Sequence, residues 1–106
     1  MKNIEVHISK HAAHRLNERL FNDGKKRQEM LDMINGKMNV GVLIENKEYN
    51  SSYYLAFPGI GYVFALVEDG GKYTAATFKS VLRAPIKGPE VSVKYSYDHE
   101  PDSKFL

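Results

Sequence analysis

The chain has 106 residues, is 42% hydrophobic and 26% charged, and carries a net charge of +2, which fits one globular domain with a modest core. It contains no cysteine, which excludes a disulfide scaffold, a thiol nucleophile and cysteine-ligated zinc. No apolar run approaches the ~20 residues that cross a bilayer, and residues 1–7 have no apolar signal core, so a cytoplasmic protein with no membrane partner is expected.

Residues 3–8 predict a short strand, because Ile4, Val6 and Ile8 alternate with Glu5 and His7. Ser9 stands where a helix cap is needed. A helix is predicted over 11–21, closed at Asn22-Asp23-Gly24. A second runs from about residue 25 to 34, with Met30, Leu31 and Ile34 at core spacing and Asn35-Gly36 at its end. The period then changes to that of strands. Segment 39–46 is rich in Val40, Val42, Leu43 and Ile44, and segment 51–57 holds Tyr53, Tyr54 and Phe57. After the turn at Pro58-Gly59-Ile60-Gly61, residues 62–67 are almost continuously apolar, as in a strand buried on both faces. Asp69-Gly70-Gly71 signals a hairpin into a last strand over 72–82.

Helices followed by strands on short turns predict an α+β fold: two N-terminal helices packed on a four- to five-stranded, mainly antiparallel sheet. Residues 1–83 form the body. Residues 84–106 read as a C-terminal extension, entered through Pro85, Gly88 and Pro89. Within it Val91, Val93, Tyr95 and Tyr97 alternate with polar residues, predicting an edge strand over 91–97 and then a flexible tail. The body carries a net +3 and the extension −1. A weakly basic body permits a nucleic-acid partner without requiring one.

The first helix holds the most informative surface. At about 100° per residue, Ala12, Ala13, Leu16 and Leu20 fall on one side, and His11, His14, Arg15 and Glu18 on the other. Such polar faces are commonly just solvated. Two histidines and an arginine are an unusual choice for solvation alone. Histidine exchanges protons near neutral pH, arginine clamps phosphate, and Glu18 is one turn from His14, where it can orient the ring. These are the groups that metal-free cleavage of a phosphodiester needs. Lys25, Lys26 and Arg27 open the second helix, where cations oppose the macrodipole; they form either a solvated loop or a phosphate-gripping patch. On the last strand, strict alternation puts Tyr73, Thr77 and Lys79 on one face, able to bind phosphate and a stacked base, with Phe78 in the core. His7, His11 and His14 can be counted as a metal triad, but no carboxylate completes a ligand spacing, so no metal site is expected. Gly59 and Gly61 are half of a phosphate-loop fingerprint and lie in a hairpin. Ser51-Ser52 lacks the strand-to-helix elbow of a nucleophile.

The stretch Ile8-Ser9-Lys10-His11-Ala12-Ala13-His14-Arg15-Leu16-Asn17-Glu18-Arg19 resembles the opening of small bacterial and phage domains related to RelE-like toxins and RegB-type endoribonucleases. Their pattern is His-Ala, an Arg three residues after the Ala, then Glu-Arg. A weaker likeness continues through Gly61-Tyr62-Val63-Phe64 and Thr77-Phe78, so that about residues 5–83 are covered. The resemblance implies a RelE-like fold and a metal-independent endoribonuclease, in which a ribose 2′-hydroxyl attacks the adjacent phosphate. It further implies that His11 acts as base or acid, that Arg15 stabilises the phosphate, and that Lys79 and Arg83 contribute cations from the sheet. His14 has no counterpart in the pattern, and Glu18 and Arg19 match positions that are structural or orienting. The implied partners are mRNA, free or on the ribosome, and an antitoxin or inhibitor protein; no cofactor is implied. The extension and the lysine-rich start of the second helix depart from the pattern. Two alternatives stand beside cleavage: a non-catalytic RNA-, ribosome- or protein-binding module on the same fold, and a factor that binds a host protein through strand 91–97.

Overall fold

The computed structural model describes residues 1–21, 26–57, 59–80 and 88–97. In chain order the elements are β1 (Lys2–Ile8), α1 (Lys10–Leu16), a π-helical turn (Asn17–Phe21), α2 (Arg27–Lys37), β2 (Val40–Glu45), β3 (Ser52–Ala56), β4 (Tyr62–Asp69), β5 (Lys72–Ser80) and β6 (Glu90–Tyr97). The six strands close into a barrel in the order β1-β5-β4-β3-β2-β6. Strand β1 runs parallel to both neighbours, β5 and β6; every other pairing is antiparallel. Among the described residues no helix is long and apolar enough to cross a membrane.

The expected RelE-like arrangement, two helices on an open four- to five-stranded sheet, is therefore wrong. The cause lies in residues 90–97. Without them the strand order would end at β1 on one side and β2 on the other, leaving two open edges. The segment expected as an edge strand joins those edges instead. It pairs with β1 from Lys2↔Val91 to Ile8↔Tyr97 and with β2 at Val40↔Ser92, Gly41↔Val91 and Val42↔Glu90. Closure removes the unpaired edges that an open sheet must protect, and it buries Val91, Val93 and Tyr95. The boundary placed after Arg83 and the tail from residue 98 lie outside the described residues.

The period-2 alternation fills the barrel. Leu43, Leu55, Phe64 and Phe78 stand in register across four neighbouring strands, all buried. Ile4, Val6 and Ile8 enter from β1. Phe64 packs against Phe78 at 4.8 Å and Tyr95 at 5.7 Å between ring centroids. The apolar side of α1 (Ala12, Ala13, Leu16) joins this core, with Met30 and Ile34 of α2. The two-sided burial expected for β4 covers only its first half: Val63, Phe64 and Leu66 are buried, whereas Val67 is 48% exposed.

The seam between β2 and β6 pairs over three positions only, and α2 completes it. The Asn35 side chain takes the part of a missing strand. Its Nδ2 donates to the Tyr95 carbonyl (3.2 Å), and its Oδ1 accepts from the Tyr95 N–H (2.8 Å). The Tyr95 hydroxyl donates to the Met38 carbonyl (2.7 Å), and the Val93 N–H to the Asn39 carbonyl (2.8 Å). The Tyr97 hydroxyl donates to the Arg27 carbonyl, and the Arg27 guanidinium lies 3.8 Å from the Tyr97 ring centroid. Burial pushes the Tyr95 phenol far above its ordinary pKa. The Tyr97 phenol is pushed up to about 12 by burial, partly opposed by the Arg27 charge. Both therefore remain protonated donors throughout the physiological range.

Candidate functional site

The polar face of α1 is held in place from its first residue. Ser9 Oγ accepts the Ala12 N–H (3.1 Å), capping the helix, and donates to the Ala76 carbonyl of β5 (3.2 Å). The Ser9 N–H donates to the Ala75 carbonyl (3.2 Å). One hydroxyl thus ends a helix and pins it to the edge of β5 beyond the β1 pairing. Replacing Ser9 by alanine should cost about 1–2 kcal/mol, since loss of a cap alone costs ~1 kcal/mol and a second hydrogen bond goes with it. Urea unfolding of the variant against wild type checks this.

With Ala12, Ala13 and Leu16 buried beneath, the opposite face turns outward. His14 Nε2 lies 3.1 Å from Glu18 Oε1, and Arg15 Nη1 lies 3.4 Å from the same oxygen. The side chains of His14, Arg15 and Glu18 are 68%, 41% and 35% exposed. A single carboxylate thus orients an imidazole and a guanidinium, one turn apart. If Nε2 carries the proton that Glu18 accepts, Nδ1 is left as the basic nitrogen. His11 is exposed on the preceding turn. The sequence pattern ranked His11 and Arg15 first. The geometry instead gives His14 the orienting partner.

Helix α1 does not continue regularly to Phe21 as expected. It widens after Leu16 into the π-helical turn, a rare form common at functional sites. From that turn Arg19 Nη1 donates to the Phe78 carbonyl of β5 (2.6 Å), a short, charge-assisted bond. Its guanidinium carbon lies 6.0 Å from the Tyr62 ring centroid. Tyr62 in turn stacks on Phe78 at 5.2 Å and 25° between ring planes.

The sheet residues expected opposite α1 are not gathered there. Strict alternation put Tyr73, Thr77 and Lys79 on one face, but β5 has a bulge. Ala65 pairs with Thr77 and Leu66 with Ala75, which leaves Ala76 as an extra residue. An extra residue reverses the alternation beyond it. Tyr73 consequently points inward, 8% exposed, edge-on to Tyr53 at 5.6 Å. Thr77 is half-buried on the outer face with Lys79. Lys79 Nζ lies 5.0 Å from the ring centroid of Tyr54 on β3, reaching across β4 and away from the edge that α1 occupies. No hydrogen bond or ion pair joins His11, His14 or Arg15 to Thr77 or Lys79 among the described residues.

The cationic patch expected at the start of α2 divides as well. Lys25 and Arg83 lie outside the described residues. Lys26 is exposed at the helix start and makes no side-chain cap. Arg27 is only 6% exposed, folded against Tyr97. The helix begins two residues later than expected, and that delay turns Arg27 toward the core rather than toward phosphate. His7, once grouped with His11 and His14, lies on β1 with Nδ1 3.1 Å from Ser96 Oγ. Among the described residues, no three His, Cys, Asp or Glu side chains are grouped to hold a metal ion. Arg19 and Tyr62 were not singled out as site residues from the sequence, for no periodicity marks the contact between the π-helical turn and β5. No protein-family model, curated protein or solved structure matches the chain.

Proposed function

We propose that the chain is a metal-independent endoribonuclease acting through the outward face of α1. The observation that carries this is the Glu18 carboxylate holding His14 and Arg15 side by side. In the proposed reaction the His14 imidazole removes the proton from a ribose 2′-hydroxyl. The 2′-oxygen attacks the adjacent phosphorus, and the bond to the 5′-oxygen breaks. His11, three residues earlier and therefore about 5–6 Å away at Cβ, returns a proton to the departing 5′-oxygen. Arg15 neutralises the non-bridging oxygens, a task suited to its forked donors. Ser9 fixes the helix that carries all three. The expected products are a 2′,3′-cyclic phosphate and a 5′-hydroxyl. Incubation with single-stranded RNA in EDTA should yield these ends. Intact RNA after prolonged incubation with equimolar protein overturns the proposal.

A second reading is favoured by how open the face is. His14 is 68% exposed, and Lys79 turns away from it. Such a surface suits a module that grips RNA phosphates without cutting. Binding that weakens steeply with salt, with no new RNA ends, would select this alternative.

A further inference from the structure

We infer, on the strength of the RNA-directed reading of α1 above, that Tyr62 and Arg19 form a stacking subsite for a nucleobase next to the phosphate held at Arg15 and His14. Four observations meet here. Tyr62 is half-buried rather than sealed in the core. Its ring is backed by Phe78, fully buried, at 5.2 Å and 25°, so it is a rigid platform rather than a mobile surface tyrosine. Arg19 is fixed above the mouth of the barrel by its bond to the Phe78 carbonyl (2.6 Å), with its guanidinium 6.0 Å from the Tyr62 centroid. Arg19 also follows Arg15 by four residues, so the platform and the proposed phosphate contact are offset by about one turn, roughly 6 Å along the axis.

The chemistry selects the ligand. An aromatic ring beside a guanidinium recognises a flat, electron-rich heterocycle through stacking and cation–π attraction. It has little to offer a bare phosphate or an aliphatic chain. Unpaired bases of single-stranded RNA present such faces, whereas those of a duplex are already stacked. The subsite would thus favour single strands, and it would do so without reading sequence, because every base has a stackable face. Arg19 has a double task. It satisfies a β5 carbonyl that no strand reaches, and it holds one wall of the subsite.

The test compares two ligands on three proteins. A fluorescent single-stranded oligoribonucleotide and an abasic oligomer of equal length and charge are titrated into wild type, Tyr62→Leu and Tyr62→Phe at low salt. Removing the stacking ring should weaken binding of the base-bearing oligomer about tenfold, within the range of alanine substitutions at stacking aromatics. Binding of the abasic oligomer should be unchanged, and Tyr62→Phe should behave as wild type on both. The abasic arm keeps the test sound if Tyr62→Leu loosens the fold, since unfolding would weaken both ligands alike; equal loss on both overturns the inference. So does equal affinity of Tyr62→Leu and wild type for the base-bearing oligomer, and in that case the reading of α1 survives. Absence of RNA binding by the wild type overturns both together.

Discussion

Replacing His14 by alanine should lower RNA cleavage by about 10²–10⁴-fold, the usual contribution of a positioned general acid or base. The fold should survive. The side chain is 68% exposed, and its only partner is the Glu18 carboxylate. Exposed pairs of this spacing contribute about 0.3–0.5 kcal/mol, too little to unfold a domain of this size. Activity and stability are therefore separable at this position. Glu18→Gln should have a smaller effect, because an amide oxygen can still accept the imidazole proton but no longer stabilises a charged ring. In the double variant His14→Ala, Glu18→Gln the losses should not add, since Glu18 acts through His14 and Arg15. Single-turnover cleavage of a labelled oligoribonucleotide measures all three. Undiminished cleavage by His14→Ala removes it from the reaction and returns His11 to first place. If wild type binds without cutting, the same variant distinguishes the binding module: its RNA affinity should fall only a few-fold, as for the loss of one weak phosphate contact.

Much of the local structure was legible in the sequence, and the reasons for the failures are specific. The alternation of Ile4, Val6 and Ile8 located β1, and that of Val91, Val93 and Tyr95 located β6. Period 2 identifies a strand and its inward side, but it does not name the strand's neighbours. The closed barrel depends on β1 lying parallel between β5 and β6, a pairing between segments almost a full chain apart. Two prolines before β6 suggested an extension where the chain was returning to close its own sheet. The bulge at Ala76 was illegible for a related reason. One unpaired residue inverts the faces of Thr77 and Lys79 relative to Tyr73, and no glycine or proline marks it. The α1 face was legible because an amphipathic helix sorts its residues by itself, whatever it packs against. The wheel consequently brought His14, Arg15 and Glu18 together correctly, while the second wall sought on β5 was misplaced.

Asn35→Ala should destabilise the protein by about 2–3 kcal/mol, far more than a half-exposed helical asparagine ordinarily contributes. In most helices alanine in place of asparagine is a gain of propensity. Here the amide bridges both backbone groups of Tyr95, at 2.8 Å and 3.2 Å, where β2 has already diverged from β6. Removing it leaves an N–H and a carbonyl without a protein partner at the seam, each at a cost of about 1–3 kcal/mol when kept from water. Partial burial puts the sum near the lower end, and the small propensity gain subtracts a few tenths of a kcal/mol. Asn35→Asp should also destabilise, since it keeps the acceptor for the Tyr95 N–H and sets a second oxygen against the Tyr95 carbonyl. Asn35→Gln should not rescue, because the added methylene displaces the amide from both groups at once. Urea unfolding reads the loss as a lower midpoint. For a domain of this size each kcal/mol corresponds to roughly 4–8 °C in melting temperature. Amide exchange at Tyr95 should accelerate before that of Leu55 or Phe64, because the seam opens locally while the ladders beyond it hold. A loss below 0.5 kcal/mol, roughly what an ordinary surface substitution costs, would mean that β6 is held by β1 alone and that α2 merely rests against it.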